Sequence, residues 1–200
     1  IEGHGASDYS GKSVSLSADG TRVAIGATHN NGVNGSNSGH VLVYENTSGS
    51  MWTKLGQDID GEAANDQSGY SVSLSSDGSR VAIGARYNDG NGPQAGHVRI
   101  YDYNGSTWVQ VGTDIDGEEG SNLAGHSVSL SSDGSRVAIG AIDNNGNGSN
   151  SGHVRIYELQ SNNSWSQLGQ DIDGEAAGDR SGYSVSLTSD GSRVAIGANG

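Results

Sequence analysis

The feature that most constrains this chain is that it repeats itself. Ser-Val-Ser-Leu begins at Ser13, Ser71, Ser127 and Ser184, at intervals of 58, 56 and 57 residues. Val-Ala-Ile-Gly-Ala recurs from Val23, Val81 and Val137, and Val-Ala-Ile-Gly-Ala opens again at Val194. Gly-His-Val recurs at Gly39, Gly96 and Gly152, Trp at Trp52, Trp108 and Trp165, and Asp-Ile-Asp-Gly at Asp58, Asp114 and Asp171. Self-similarity at a fixed period means one structural unit stacked many times, each copy burying its faces against its neighbours. The pattern divides the chain into repeat 1 (1–57), repeat 2 (58–113), repeat 3 (114–170) and a partial repeat 4 (171–200), about three and a half copies.

Within a repeat the apolar period is two, the mark of strands, and nowhere 3.6. In the second copy Ser71 to Ser75 alternates Ser with Val72 and Leu74. A Ser-Asp-Gly-Ser turn follows, then Arg80 to Ala85 returns with Val81 and Ile83 on one face and Ala82 and Gly84 on the other. After an Asn/Gly loop, His97 to Tyr103 and Trp108 to Val111 complete four strands joined by turns rich in Gly, Asn and Asp. The expected fold is therefore all-β: tandem four-stranded antiparallel blades in a β-propeller-like stack. Composition agrees. Gly makes up 34 of 200 residues and Phe is absent, so the sheets must be thin and close, with small residues such as Ala24 and Gly26 at the contacts.

Several functional classes fall away. A net charge of −13 with ten basic residues speaks against nucleic acid and anionic membranes, which need clustered Lys and Arg. No Cys means no disulfide, zinc-thiolate site or thiol nucleophile. No apolar run is long enough for membrane insertion. An opening of Ile-Glu-Gly-His-Gly reads as the inside of a connector and not as a signal peptide, which suggests a piece of something longer. Catalysis is disfavoured by symmetry, since an active site is one asymmetric constellation whereas these acids, His and Trp recur once per repeat. Acid count alone leaves paired-carboxylate glycoside hydrolysis open.

Ser68 to Leu74, Val81 to Ala85 and Gly96 to Tyr101, in that order, resemble the FG-GAP repeat of integrin α-type propellers and of tandem arrays in secreted or cell-surface proteins of marine bacteria and microalgae. The resemblance implies bladed propeller architecture, an extracellular or cell-surface setting and adhesive work. This chain departs from the family pattern. Ser or Ala replaces Phe before Gly11, Gly69, Gly125 and Gly182, and Thr28, Arg86, Ile142 and Asn199 stand where the family has Pro. The family's calcium loop is reduced to Asp19, Asp77, Asp133 and Asp190, one acid per turn, too few oxygens for calcium.

The acidic connectors are the remaining candidates for calcium: Asp58, Asp60, Glu62 and Asp66; Asp114, Asp116 and Glu118; Asp171, Asp173, Glu175 and Asp179. The competing reading is that these acids cap turns. The Asn/Gly loops (30–37, 88–92, 144–150) read as sugar or cation sites or as flexible rim loops. Asn34, Asn46, Asn104, Asn147 and Asn162 sit in glycosylation sequons. His40, His97 and His153 read as edge or inter-blade hydrogen-bonding residues, or as metal ligands if they share a site. The Trp residues read as inter-blade packing or sugar platforms. Arg22, Arg80, Arg136 and Arg193 are expected to pair with connector carboxylates. The functional expectation is a non-catalytic extracellular scaffold, structural or adhesive, that self-associates or continues into further repeats, even into a fibre. The alternative is a cation-dependent propeller for a protein or glycan ligand.

Overall fold

A computed structural model describes every residue except Glu2, His4, Ser48 and Ser50. The expected equivalence of the Ile1-Glu2-Gly3 segment with Ile59-Asp60-Gly61 therefore lies partly outside the described residues. Among the described residues there is no helix, only short strands in four sheets. The first sheet holds β1 (Ser10–Leu16), β2 (Arg22–Ala27), β3 (His40–Glu45) and β4 (Thr53–Lys54) in that order. The second holds β6 (Ser71–Leu74), β7 (Arg80–Ala85), β8 (His97–Tyr103) and β9 (Trp108–Gln110). The third holds β11 (Ala124–Leu130), β12 (Arg136–Ala141), β13 (His153–Leu159) and β14 (Trp165–Gln167). A two-stranded sheet of β16 (Ser184–Leu187) and β17 (Val194–Gly197) completes the stack. All these pairings are antiparallel.

One element goes beyond the four expected strands. The start of each acidic connector, β5 (Ile59–Asp60), β10 (Ile115–Asp116) and β15 (Ile172–Asp173), pairs with β3, β8 and β13 respectively. The connector is thus hydrogen-bonded to the sheet it leaves, and this fixes the height at which its carboxylates stand.

Alternation assigns the two faces of each blade. Val72 lies opposite Ile83 and Leu74 opposite Val81, so these four share one face. Ala82 lies opposite Ile100 and Gly84 opposite Val98, on the other. The second face of one blade packs on the first face of the next. Val41, Val43, Leu55 and Ile59 pack on Val72, Leu74, Val81, Ile83 and Trp108. Ala82, Val98, Ile100 and Ile115 pack on Val128, Leu130, Val137 and Ile139 in the same way.

The contact between sheets is as close as backbone allows. A Cβ on Gly26, Gly84 or Gly140 would lie about 2.1 Å from the carbonyl oxygen of Gly69, Gly125 or Gly182 in the following blade. Those last glycines sit at positive φ, 82°, 81° and 87°. At the second copy this is a β-bulge: Gly69 N and Tyr70 N both donate to Gly84 O. The Ser residues of the alternating strand span the gap. Ser13, Ser71 and Ser127 Oγ donate to Gly69, Gly125 and Gly182 O at 2.7–2.8 Å. Ser15, Ser73 and Ser129 Oγ accept from Leu74, Leu130 and Leu187 N at 3.0 Å.

Two expectations are corrected. Arg22, Arg80 and Arg136 pair with Glu45, Asp102 and Glu158, not with connector acids. The register explains it, since each Arg opens the second strand directly opposite that acid on the third. Each also reaches a turn carbonyl of the next blade, Gly78, Gly134 or Gly191 O. The Asn/Gly loops are bonded to the following connector and do not hang free. Asn34 Nδ2 donates to Gly61 O, Asn91 Nδ2 to Gly117 O and Asn147 Nδ2 to Gly174 O.

Candidate functional site

The hairpin turns show why no calcium loop survives there. Asp19 Oδ1 accepts from Ser17 Oγ at 2.6 Å, from Thr21 N at 2.9 Å and from Thr21 Oγ1. These bonds, Ser17 first, hold its carboxyl at about 2. Asp190 is held at about 2 in the same way, by Thr188 first and then Ser192. A carboxylate fully engaged by its own turn is a structural cap.

The connector acids play two roles, and Asp114 and Asp171 play both. Asp66 and Asp179 cap turns: their Oδ2 atoms accept from Ala63 N and Ala176 N at 3.0 and 2.7 Å. Asp66 also accepts from buried Asn88 Nδ2 at 2.9 Å. Asp58, Asp114 and Asp171 accept from Lys54 Nζ, Gln110 Nε2 and Gln167 Nε2 at the start of the connector. Glu175 is exposed, and its backbone carbonyl accepts from Asn147 Nδ2.

The second role is convergence on the histidines, and the convergence crosses repeats. His97 opens β8 with its side chain 1% exposed. Its Nδ1 stands 3.5 Å from Asp114 Oδ2, on the connector leaving its own blade, and 3.7 Å from Glu62 Oε2, on the connector arriving from the previous one. His153 repeats this with Asp171 Oδ2 at 3.5 Å and Glu118 Oε2 at 3.9 Å. Both buried Nδ1 atoms lack a hydrogen-bond partner. The far oxygen of each Glu faces a guanidinium: Arg99 Nη1 is 3.4 Å from Glu62 Oε1 and Arg155 Nη1 is 3.6 Å from Glu118 Oε1. Asn88 and Asn144 Nδ2 touch the near oxygens at 3.4 Å. Burial, then the adjacent Arg99, pushes His97 down to about 4 against the pull of Asp114, so the ring is neutral at pH 7. Burial pushes Glu62 up, with Arg99 opposing. Burial and Asp114 raise Asp116.

Asp173 stands on the rim of the third-blade site, and Asp116 Oδ1 lies beside Gly90 at the equivalent place in the second. Around the third-blade site Glu118, Glu119, Asn144, Asp171 and Asp173 line a depression of about 250 Å³. In the first blade His40 Nδ1 is 4.0 Å from Asp58 Oδ2. Asp60 Oδ1 lies beside Gly32 there. The chain has Leu42 where later repeats have Arg99 and Arg155, and His4, outside the described residues, where they have Glu62 and Glu118.

The opposite group of residues was not singled out from the sequence. Lys12, Tyr70, His126 and Tyr183 occupy one position in the four repeats, after the glycine of the bulge. Stacking brings them into a column, with Lys12 Nζ 4.3 Å from the Tyr70 ring centroid and His126 5.0 Å from both Tyr70 and Tyr183. Arg86 lies 3.7 Å over Tyr70. A cleft of about 290 Å³ opens there between Tyr9, Lys12, His29, Tyr70 and Arg86. The Trp residues pack between blades: Trp108 and Trp165 Nε1 donate to Leu55 O and Val111 O of the preceding blade at 2.8 and 2.9 Å. The sequon residues Asn46, Asn104 and Asn162 lie on outer turns, where their Oδ1 atoms accept from Gly49, Ser106 and Ser164 N.

Comparison with known proteins supports the architecture. A proposed 6-phosphogluconolactonase from Bacteroides uniformis matches over 92% of this chain and 46% of its own, at 12% identity and a TM-score of 0.59. Hydrazine synthase of Kuenenia stuttgartiensis matches over 92% and 48%, at 15% identity and a TM-score of 0.57. The chain thus spans about half the length of each, and at such identities the likeness concerns the fold alone. No curated protein sequence matches. A family model described as the FG-GAP repeat matches residues 2–44 and 59–101, the first two copies of the period. Those two copies match the FG-GAP repeat, and the chain is an all-β, propeller-like stack of similar repeats.

Proposed function

We propose that the chain is a non-catalytic repeat scaffold, structural or adhesive, working outside the cell or at its surface and joined to further repeats in a larger assembly. The observation that carries this reading is the identity of successive interfaces. Val72 and Leu74 are 9% and 7% exposed beneath the first blade, and Val128 and Leu130 are 9% and 7% exposed beneath the second. Their counterparts on β1, Val14 and Leu16, are 64% and 62% exposed. That bare face has the shape and chemistry of one a neighbouring blade covers elsewhere in the stack. Covering it with another repeat, from the same chain or a second copy, is worth about 1.5–3 kcal/mol per side chain. Exposed Asn104 and Asn162, and half-buried Asn46, leave room for glycans on the outer rim. At Asn147, whose Nδ2 donates to both Gly174 O and Glu175 O, a glycan would take the place of one of the two amide hydrogens.

Light scattering over a concentration series tests the reading. The chain should associate, and Val14→Lys with Leu16→Lys should abolish association while leaving the circular-dichroism spectrum unchanged. A monomer at every concentration overturns it.

A second reading, a cation-dependent propeller for a protein or glycan, draws support from the Tyr9, Lys12, Tyr70 and Arg86 cleft, whose aromatic faces and cations suit an acidic sugar. A glycan array probed with and without chelator tests it. Chelator-sensitive binding lost in Tyr70→Ala favours this reading over the first.

A further inference from the structure

The two Glu–His–Asp groups carry an inference that does not depend on the scaffold reading. We infer that Glu62, His97 and Asp114, and again Glu118, His153 and Asp171, form inter-blade sites for a borderline divalent ion of the zinc type.

Three observations converge. The first is distance. His97 Nδ1 is 3.5 and 3.7 Å from its two carboxylate oxygens, and His153 Nδ1 is 3.5 and 3.9 Å from its pair. An N–H···O hydrogen bond spans about 2.7–3.2 Å. Tetrahedral zinc with ligands at about 2.0–2.2 Å separates them by about 3.4 Å. The groups stand too far apart to bond each other well and close to the edges of a coordination polyhedron. In each group one ligand atom from every residue lies within 4.8 Å of the others.

The second observation is the unsatisfied nitrogen. A buried acceptor or donor left without a partner bears its full desolvation penalty. Both Nδ1 atoms are such orphans, on side chains 1% and 2% exposed, and both are aimed between two carboxylates. The chain tolerates this twice, at equivalent places.

The third is the outer shell. The Glu oxygen not facing the histidine is turned to Arg99 or Arg155, whose Nη2 atoms are themselves tied to Asp60 O and Asp116 O at 3.0 and 2.8 Å. Gln110 and Gln167 Nε2 hold the far oxygens of Asp114 and Asp171 at 2.6 Å. Groups that fix the unused oxygen of a ligating carboxylate are what a metal site requires.

The donor set selects the ion. Calcium takes six to eight oxygens and has no use for a buried imidazole. One nitrogen and two carboxylate oxygens, with the cleft open for water, suit zinc and its neighbours. The consequence is mechanical. Glu62 and Glu118 ride on connectors bonded to the preceding blade, through Gly61 N to Gly39 O and Gly117 N to Gly96 O. An ion at each site therefore ties one blade to the next.

The test is titration of the chelator-treated chain with zinc chloride alone, read by calorimetry, with cobalt(II) absorption as a spectroscopic check. His4 occupies the glutamate place of the first repeat, so the count is read as a difference between proteins. His97→Gln should bind one ion fewer than the parent, and His97→Gln with His153→Gln two fewer. Glu118→Gln, altered at a side chain 41% exposed and so expected to fold, should also lose one. Zinc should raise the parent's thermal midpoint, and the rise should shrink with each site removed. Unchanged stoichiometry in Glu118→Gln and in whichever histidine variants fold overturns the inference. So does the absence of zinc binding, or calcium competing at equal concentration.

Discussion

At the scale of single residues, the glycines facing one another across blades set the tightest constraint. Gly84 has Gly125 O about 2.1 Å from where its Cβ would be, and Ser71 Oγ is nearby. The obstruction is backbone, so a methyl group there must push two sheets apart. Gly84→Ala should cost about 1–3 kcal/mol or more, measured by urea unfolding. Gly105, at an outer turn with nothing near its Cβ position, has strain only from its φ of 98°. Gly105→Ala should therefore cost less.

His126 offers a residue-scale test in pH. Burial, then Arg86, Lys12 and Arg180, hold it down at about 4, against about 6.5 for a free histidine. As pH falls from about 6.5 to about 4 the unfolded chain takes up this proton before the folded one does, so stability falls across that window and levels off below it. His126→Gln should make the dependence of unfolding free energy on pH shallower there, by up to about one proton. A parallel pair of curves would contradict the assignment.

At the scale of elements, the strands were legible and their partners only in part. The alternation around Val72 and Leu74, the Asp77-Gly78 turn and the run from Arg80 to Ala85 foretold β6 and β7 almost to the residue, because a strand's period is a local property. The serines of the same strand were opaque. On one blade Ser71 and Ser73 look like a solvent-facing row, and only stacking turns them into bonds to Gly125 O and Leu130 N. The connector acids were recognised as candidates, yet their grouping was not, since Glu62 and Asp114 meet His97 from two different connectors. The Lys12–Tyr70–His126–Tyr183 column was unreadable for the same reason: its members are a full repeat apart. The tryptophans make the dependence on stacking measurable. Trp108 is 4% exposed, donates to Leu55 O and packs with Tyr103, whereas Trp165 is only partly buried. Trp108→Ala should cost about 3–5 kcal/mol and Trp165→Ala less, in thermal or urea unfolding.

At the scale of the whole molecule, the described sheets pack face to face on adjacent blades, so stability should be the sum of blade and interface terms. Leu74→Lys, within an interface, should separate the first blade from the rest, and Leu16→Lys, on the bare face, should leave folding intact. Amide hydrogen exchange should report the first as loss of protection across β1–β4 and the second as none. The hairpin turns add something the side chains do not. Ala18 N donates to Ser76 O, Ser76 N to Ser132 O and Ser132 N to Ser189 O. Each inner turn gives a hydrogen forward and receives one from behind, like links that hook in a single sense. A row of this kind has a direction, an accepting end and a giving end. Two such molecules meeting giving end to giving end would bring N–H against N–H, whereas a giving end set against an accepting end continues the row, so growth along this row would run nose to tail and inherit an arrow from its peptide bonds.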